Sequence, residues 1–442
     1  MDTPIFDFVS EYAKNGTVRL HMPGHKGQGG LGCEIRDITE VKGADELFHP
    51  SGIIKKSEEN ASSLFKTAKT LYSAGGSTQS IQAMVYLAFL RAPKNSRPLI
   101  LAGRNAHRAF ISAVSKLDCD VNWLSPDFTP DLCSCEITPD MLLRAISSAD
   151  RKPFAVYITS PDYLGKITPI KPLAELCREK QIPLLVDNAH GSYLAFCTDL
   201  HPMHNGADMC CDSAHKTLPV LTGGGYLHIN RDDFYGFSEN ARQAMELFGS
   251  SSPSYLILQS LDLCNRYIEM SIEEDLKLAV KSCEKIRRVM TDKGIEDFSD
   301  EPLKITADFR RLAPKNADWF RAEGIEPEYD DGDFTVFMAS CNSRDGDFKR
   351  LADAFEKIEL KEKAPLPPIS LTKAKRALSV REAVFSPSVE IECEKAEGRI
   401  CASPTVSCPP AIPIAVSGEI IDKNHRKLFE RYNIKKIRVV SE

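Results

Sequence analysis

The chain has 442 residues, 42% hydrophobic and 27% charged, which excludes disorder, collagen or coiled coil as a description of the whole. Its 56 Lys and Arg against 62 Asp and Glu leave a net charge of −6, which argues against a nucleic-acid binder built on a basic face. No run approaches the ~18 apolar residues of a membrane span, and Met1-Asp2-Thr3-Pro4 lacks the basic-then-apolar layout of a secretion signal.

Residues 1–65 read as a mixed, loop-rich N-terminal segment holding His21-Met22-Pro23-Gly24-His25-Lys26-Gly27. From 66 to 253 short apolar runs alternate with helical stretches. Pro98–Ala102, Ala155–Thr159, Pro183–Asp187, Met209–Cys211 and Gly225–Ile229 are the expected strands. Gln79–Arg91 and Ile170–Lys180 are expected helices between them. Near-continuous apolar strands alternating with helices predict an α/β domain with a parallel sheet covered on both faces.

A smaller α/β domain is expected over 254–362. It has helix across 254–292, strands at Leu303–Phe309 and Phe334–Ser340, and a helix near Asp345–Ile358. Lys361–Pro368 reads as a linker into a small C-terminal domain, 363–442. Its Cys408-Pro409-Pro410-Ala411-Ile412-Pro413 is too Pro-rich for a helix and reads as a loop or edge segment. Fourteen scattered cysteines, with no CxxC pair, point to reduced thiols and a cytoplasmic setting. Cys133-x-Cys135 lacks partners at metal spacing.

Four segments carry chemistry. Asp212-Ser213-Ala214-His215-Lys216-Thr217 follows a short apolar strand, which would present Lys216 at the carboxyl edge of the sheet, where open α/β sheets bind ligands. A lysine there can form a Schiff base with a carbonyl cofactor, or be an exposed loop residue. Leu184-Leu185-Val186-Asp187-Asn188-Ala189-His190 puts a carboxylate just past a buried strand, costly unless paired. Asp187 fits the protonated pyridine nitrogen of pyridoxal 5′-phosphate (PLP); a helix cap or a metal ligand are the other readings.

Ala74-Gly75-Gly76-Ser77-Thr78-Gln79 opens a helix with two glycines and two hydroxyls, an anion site of backbone N–H groups or an ordinary N-cap. The lysine of a Walker loop is missing. Arg104-Asn105-Ala106-His107 places an imidazole just past a strand, able to stack on a cofactor ring or serve a structural role. Ala189 is small enough to admit the opposite ring face.

Taken together, these segments resemble the fold-type-I PLP enzymes, and more narrowly the bacterial Orn/Lys/Arg decarboxylase family in its short form without the N-terminal wing domain. The resemblance runs over nearly the whole chain. It includes His21–Gly27, Gly43-Ala44-Asp45-Glu46-Leu47-Phe48-His49-Pro50, Ser251-Ser252-Pro253-Ser254-Tyr255 and Pro409-Pro410-Ala411-Ile412-Pro413. Departures are Ala74 at the start of the cradle, Gly223 for the usual Gln, Ala411 for Gly, and Ser417-Gly418-Glu419 for Pro-Gly-Glu.

The resemblance implies a large PLP-binding domain at 66–253 and roles for its residues. Lys216 would hold the cofactor, Asp187 its ring nitrogen, and His107 and Ala189 its two faces. Ser77, Thr78, Ser213 and His215 would hold its phosphate, with Ser251 or Ser252 reaching the phosphate of a neighbouring subunit in a homodimer. His190 or Lys216 would return a proton to Cα. Glu419 and Asp162 would help recognise a basic side chain, as would the Asp45-Glu46 pair. The implied reaction is decarboxylation of arginine, lysine or ornithine to the corresponding amine. A fold-type-I aminotransferase or lyase, a catalytically silent relative, and a flavodoxin-like nucleotide binder on Gly75-Gly76 are the competing expectations.

No metal site is expected. His21-x-x-x-His25 cannot lie on a helix that Pro23 and Gly24 would break. His201 and His204, in a Pro-containing loop, read as surface residues. Asp330-Asp331-Gly332-Asp333 reads as a solvated turn rather than a calcium loop.

Overall fold

The computed structural model describes residues 1–370, 374–403, 407–408 and 412–441. The Pro409-Pro410-Ala411 motif lies outside them. Seven strands carry the main framework: β1 (Lys69–Ser73), β2 (Leu99–Gly103), β3 (Asp120–Leu124), β4 (Ala155–Thr159), β5 (Leu184–Asp187), β6 (Met209–Asp212) and β7 (Gly225–Ile229). They are mostly parallel and interleaved with helices, the α/β class expected. The chain divides into two compact units, Met1–Leu90 with Pro183–Leu276, and Arg91–Ile182 with Lys277–Glu442.

In the first unit the strands run in the order β1-β7-β6-β5. β5 and β6 are parallel, with Asp187 opposite Cys211, whereas β7 is antiparallel to both β6 and β1. The sheet is thus mostly parallel, as expected; β7 is an unbroken apolar run like its parallel neighbours because it is just as fully buried. The helix Gly76–Phe89 buries Ile81, Met84, Val85 and Leu87, each worth about 1.5–3 kcal/mol of transfer free energy. Helix Pro4–Lys14 is anchored at its start, where Asp262 Oδ2 accepts the N–H groups of Ile5 and Phe6 at 2.9 Å each.

In the second unit β4, β2 and β3 form parallel pairs in that order. An antiparallel sheet of Lys304–Asp308, Phe334–Met338 and two short strands lies in the same unit, with a helix at Asp345–Lys357. The helical stretch at 254–292 is two helices, Tyr255–Met270 and Ile272–Asp292. Ser388–Glu392 pairs antiparallel with Lys436–Val440. Leu164, Phe334, Val336, Ile414, Phe429 and Val439 belong to one buried cluster. The Asp330–Asp333 segment is a turn, as expected, but its Asp333 is buried and paired with Lys363 and Arg431 rather than solvated. Asp331 Oδ1 accepts the N–H groups of Asp333 and Phe334 at 2.9 and 2.8 Å.

Candidate active site

The parallel pairing of β5 and β6 brings their carboxyl ends together in the first unit. Asp187 ends β5 and is 2% exposed. Its Oδ1 accepts the Ala189 N–H at 3.2 Å, folding the chain back in an Asx-type turn. Asn188 Nδ2 donates to Asp212 Oδ1 at 2.6 Å, which ties the end of β5 to the end of β6.

Ser213 follows β6 and leads into a single helical turn, Ala214–Thr217, that carries His215 and Lys216. Lys216 Nζ lies 2.9 Å from His190 Nε2. Only one of these nitrogens carries the shared proton, so the pair holds one acidic and one basic site side by side. His190 is buried and Lys216 half-buried.

The helix Gly76–Phe89 begins three residues after β1. Its N-cap, Gly75, has no side chain to cap the first turn, where Ser77 is half-buried and Thr78 exposed; the Gly75 N–H itself goes to Ser73 Oγ and Gln79 Oε1. Gly76 adopts φ +65°, a left-handed conformation that favours glycine, and its N–H donates to Gly223 O at 2.7 Å. A Cβ on Gly76 would stand 3.8 Å from His215 Cε1, so His215 flanks the helix opening. His215 Nδ1 bonds Gly224 O at 2.8 Å, and burial lowers its pKa.

Gly225 on β7 closes the arrangement. A Cβ there would lie 2.8 Å from Asp212 O and 3.4 Å from Ser77 N. An uncapped helix start flanked by two hydroxyls and an imidazole is a donor set that fits a phosphate. A buried carboxylate and a lysine at neighbouring strand ends fit a protonated ring nitrogen and a carbonyl group. Ala189 is also buried beside Asp187. Ser251 and Ser252 are exposed in the loop before helix Tyr255–Met270, where Ser251 lines a hollow with Glu40, Glu46 and Glu246.

The second unit holds the other candidates. His107 caps helix Arg108–Leu117 by accepting the Ala109 N–H on Nδ1 at 3.2 Å. Asp162 is buried and accepts the Lys166 N–H at 2.9 Å; burial pushes its pKa up to about 7. Glu419 is buried too. Its Oε2 is 3.5 Å from Arg104 Nη2 and accepts the Val416 N–H at 2.7 Å. Burial would raise its pKa, but Arg104, His425 and the Val416 N–H together hold it below the usual range. Arg104 also donates to Pro413 O at 2.6 Å and Ile414 O at 2.9 Å.

Sequence reasoning passed over Asn188, Asp212, His201 and His228. His201, read as a surface residue, is fully buried, while His204 is exposed. The correction has a local cause. His201 caps the short turn Pro202–Asn205, and its ring turns inward to stack near Phe65 and His228. A histidine inside the apolar run Gly225–Ile229 was the available signal.

A family model described as "Orn/Lys/Arg decarboxylase, major domain" matches residues 3–349. The chain belongs to this family, a family of decarboxylase enzymes. An arginine decarboxylase of Bacillus anthracis is 26% identical, covering 97% of this chain and 93% of that protein. One from Bacillus subtilis is 27% identical, covering 96% and 92%. The lysine decarboxylase of Francisella novicida superposes with a TM-score of 0.80 at 15% identity, covering 99% of this chain and 81% of that one. The fold is thus that of the fold-type-I PLP enzymes.

Proposed function

We propose that the protein decarboxylates a basic L-amino acid with the help of PLP, releasing carbon dioxide and the primary amine. The substrate is arginine, lysine or ornithine, giving agmatine, cadaverine or putrescine. Arginine comes first, supported by the names of the relatives at 26–27% identity. The observation that carries the reading is the Lys216–His190 pair at the strand end, beside Asp187 and an uncapped helix start.

When bound, PLP supplies an aldehyde for an amine and a ring that accepts the electrons of the broken bond. Lys216 would hold the aldehyde carbon, and Asp187 the ring nitrogen. Ser77, Thr78, Ser213 and His215 would hold the phosphate, and His107 and Ala189 would face the ring. His190 would take or give a proton at Nε2 across its contact with Lys216 Nζ, and either residue would return a proton to the substrate Cα. Asp162 and Glu419 would answer the cationic side chain. Both are already engaged, Glu419 with Arg104 and Asp162 with the Lys166 N–H. The exposure of Ser251 and Ser252 suits a homodimer in which they serve the neighbouring subunit's phosphate.

The test incubates the purified protein and PLP with arginine, lysine, ornithine and a wider amino-acid panel. Carbon dioxide and amine are measured together, with Lys216→Ala as control. Release from one basic amino acid, lost in Lys216→Ala, is expected. A keto acid or ammonia without carbon dioxide would overturn the reading in favour of an aminotransferase or lyase.

A further inference from the structure

Beneath the strand ends lies a second polar cluster that neither Lys216 nor Asp187 joins. Cys210 and Asp212 are two residues apart on β6 and so share one face. His228 on β7 stands directly opposite Cys210. His201 reaches the same point from the turn Pro202–Asn205. All four residues are buried, and one nitrogen from each imidazole, a carboxylate oxygen and the Cys210 sulfur lie within 4.8 Å of one another.

The spacings suit a shared centre. Asp212 Oδ2 is 3.2 Å from His201 Nε2 and 3.2 Å from His228 Nε2. A charge-assisted N–H···O bond is shorter, about 2.7–2.9 Å. Nitrogen and oxygen ligands about 2.0–2.1 Å from one tetrahedral ion stand roughly 3.3–3.4 Å apart. Cys210 Sγ is 3.9 Å from the other oxygen of the same carboxylate.

Outer contacts hold the ligands in place. His228 Nδ1 is 2.8 Å from Thr70 Oγ1, and Asp212 Oδ1 receives the Asn188 amide at 2.6 Å. Charge agrees as well. With the Cys210 thiol deprotonated by the ion, a carboxylate and a thiolate would place two negative charges in a buried spot, and a divalent cation would cancel both.

We propose that His201, Cys210, Asp212 and His228 bind one divalent ion of the zinc class as a closed structural site. As the metal–sulfur bond forms, the Cys210 thiol proton leaves to solvent. Each imidazole binds through Nε2 as the Nδ1–H tautomer, so the ion replaces its 3.2 Å hydrogen bond to Asp212 Oδ2, and His201 also gives up the 3.4 Å contact from the Met203 N–H to its Nδ1. Four protein ligands leave no open position, so the ion braces β6, the strand that leads into Ser213.

The test needs no enzymatic activity. Untagged full-length protein is loaded with Zn²⁺, freed of excess by gel filtration, and its metal content measured by mass spectrometry. About one zinc per chain is expected, falling roughly tenfold in His201→Gln/His228→Gln. A Co²⁺-loaded sample should absorb through sulfur-to-cobalt charge transfer, and Cys210→Ser should lose that band. Circular dichroism reports whether each variant is folded. Should the double variant fail to fold, Cys210→Ser carries the test through the cobalt spectrum. Wild-type protein without stoichiometric zinc after unfolding and refolding in excess Zn²⁺ would overturn the proposal. So would zinc retained in the folded double variant, or a cobalt spectrum unchanged by Cys210→Ser.

Discussion

Lys216 Nζ and His190 Nε2 share one proton across 2.9 Å at the carboxyl end of neighbouring strands. A general acid or base at such a distance contributes about 10²–10⁴-fold to a rate. His190→Gln keeps the size and loses the titrating ring. We expect kcat for carbon dioxide release to fall by about 10²-fold or more, with KM changed far less. Steady-state kinetics within threefold of wild type would reject this role.

Gly225 has no room for a methyl group, because its Cβ would press on backbone atoms of Asp212 and Gly76. Gly225→Ala should therefore displace the helix opening. The expected result is at least a tenfold weaker affinity for PLP by fluorescence titration, and a stability loss of about 1–3 kcal/mol by urea denaturation.

Arg104 and Glu419 form a buried pair in the second unit, at 3.5 Å. Arg104→Met leaves the Glu419 carboxylate without its cation and two carbonyls without a donor. A loss of about 3–5 kcal/mol is expected. Adding Glu419→Gln should restore part of it, so that the double variant is less destabilised than the two single losses summed. Strict additivity in the urea midpoints would show the pair to be uncoupled.

Asp162 has its pKa raised by burial from 3.8 to about 7. A folded-state pKa above the unfolded one gives stability that is full below pH ~4 and lost as pH rises through ~7. Asp162→Asn keeps an oxygen for the Lys166 N–H and removes the titration. The variant should gain stability over wild type between pH 5 and pH 8. A pH-independent difference in denaturation free energy would contradict this.

Much of this was readable from local sequence. Ala155–Thr159 and Gly225–Ile229 are found with the bounds expected, since each is an unbroken apolar run between turn signals. β1 and β3 escaped notice. Lys69-Thr70-Leu71-Tyr72-Ser73 and Asp120-Val121-Asn122-Trp123-Leu124 mix polar residues into short strands, and their partners supply the missing apolar surface. The strand-end positions of Lys216 and Asp187 were legible because each lies at or just past an apolar run in sequence. The contact of Asp212 with His201 and His228 was not, because it spans 11 and 16 residues and depends on the register between β6 and β7. Pro202 made His201 look like a loop residue, although the same proline opens the turn that carries its ring inward.

Each compact unit is assembled from two separated stretches, and this sets a timetable for synthesis. Residues 1–90 must wait for 183–276 before their unit can close. At ~5–20 residues per second the gap from 90 to 276 takes roughly 10–40 s on the ribosome. Through that interval the helix Gly76–Phe89 has β1 but lacks β5, β6 and β7, so the cover over its Ile81, Met84, Val85 and Leu87 is incomplete. A nascent-chain chaperone would find its target there, and slowing translation between codons 90 and 276 should lower the soluble yield.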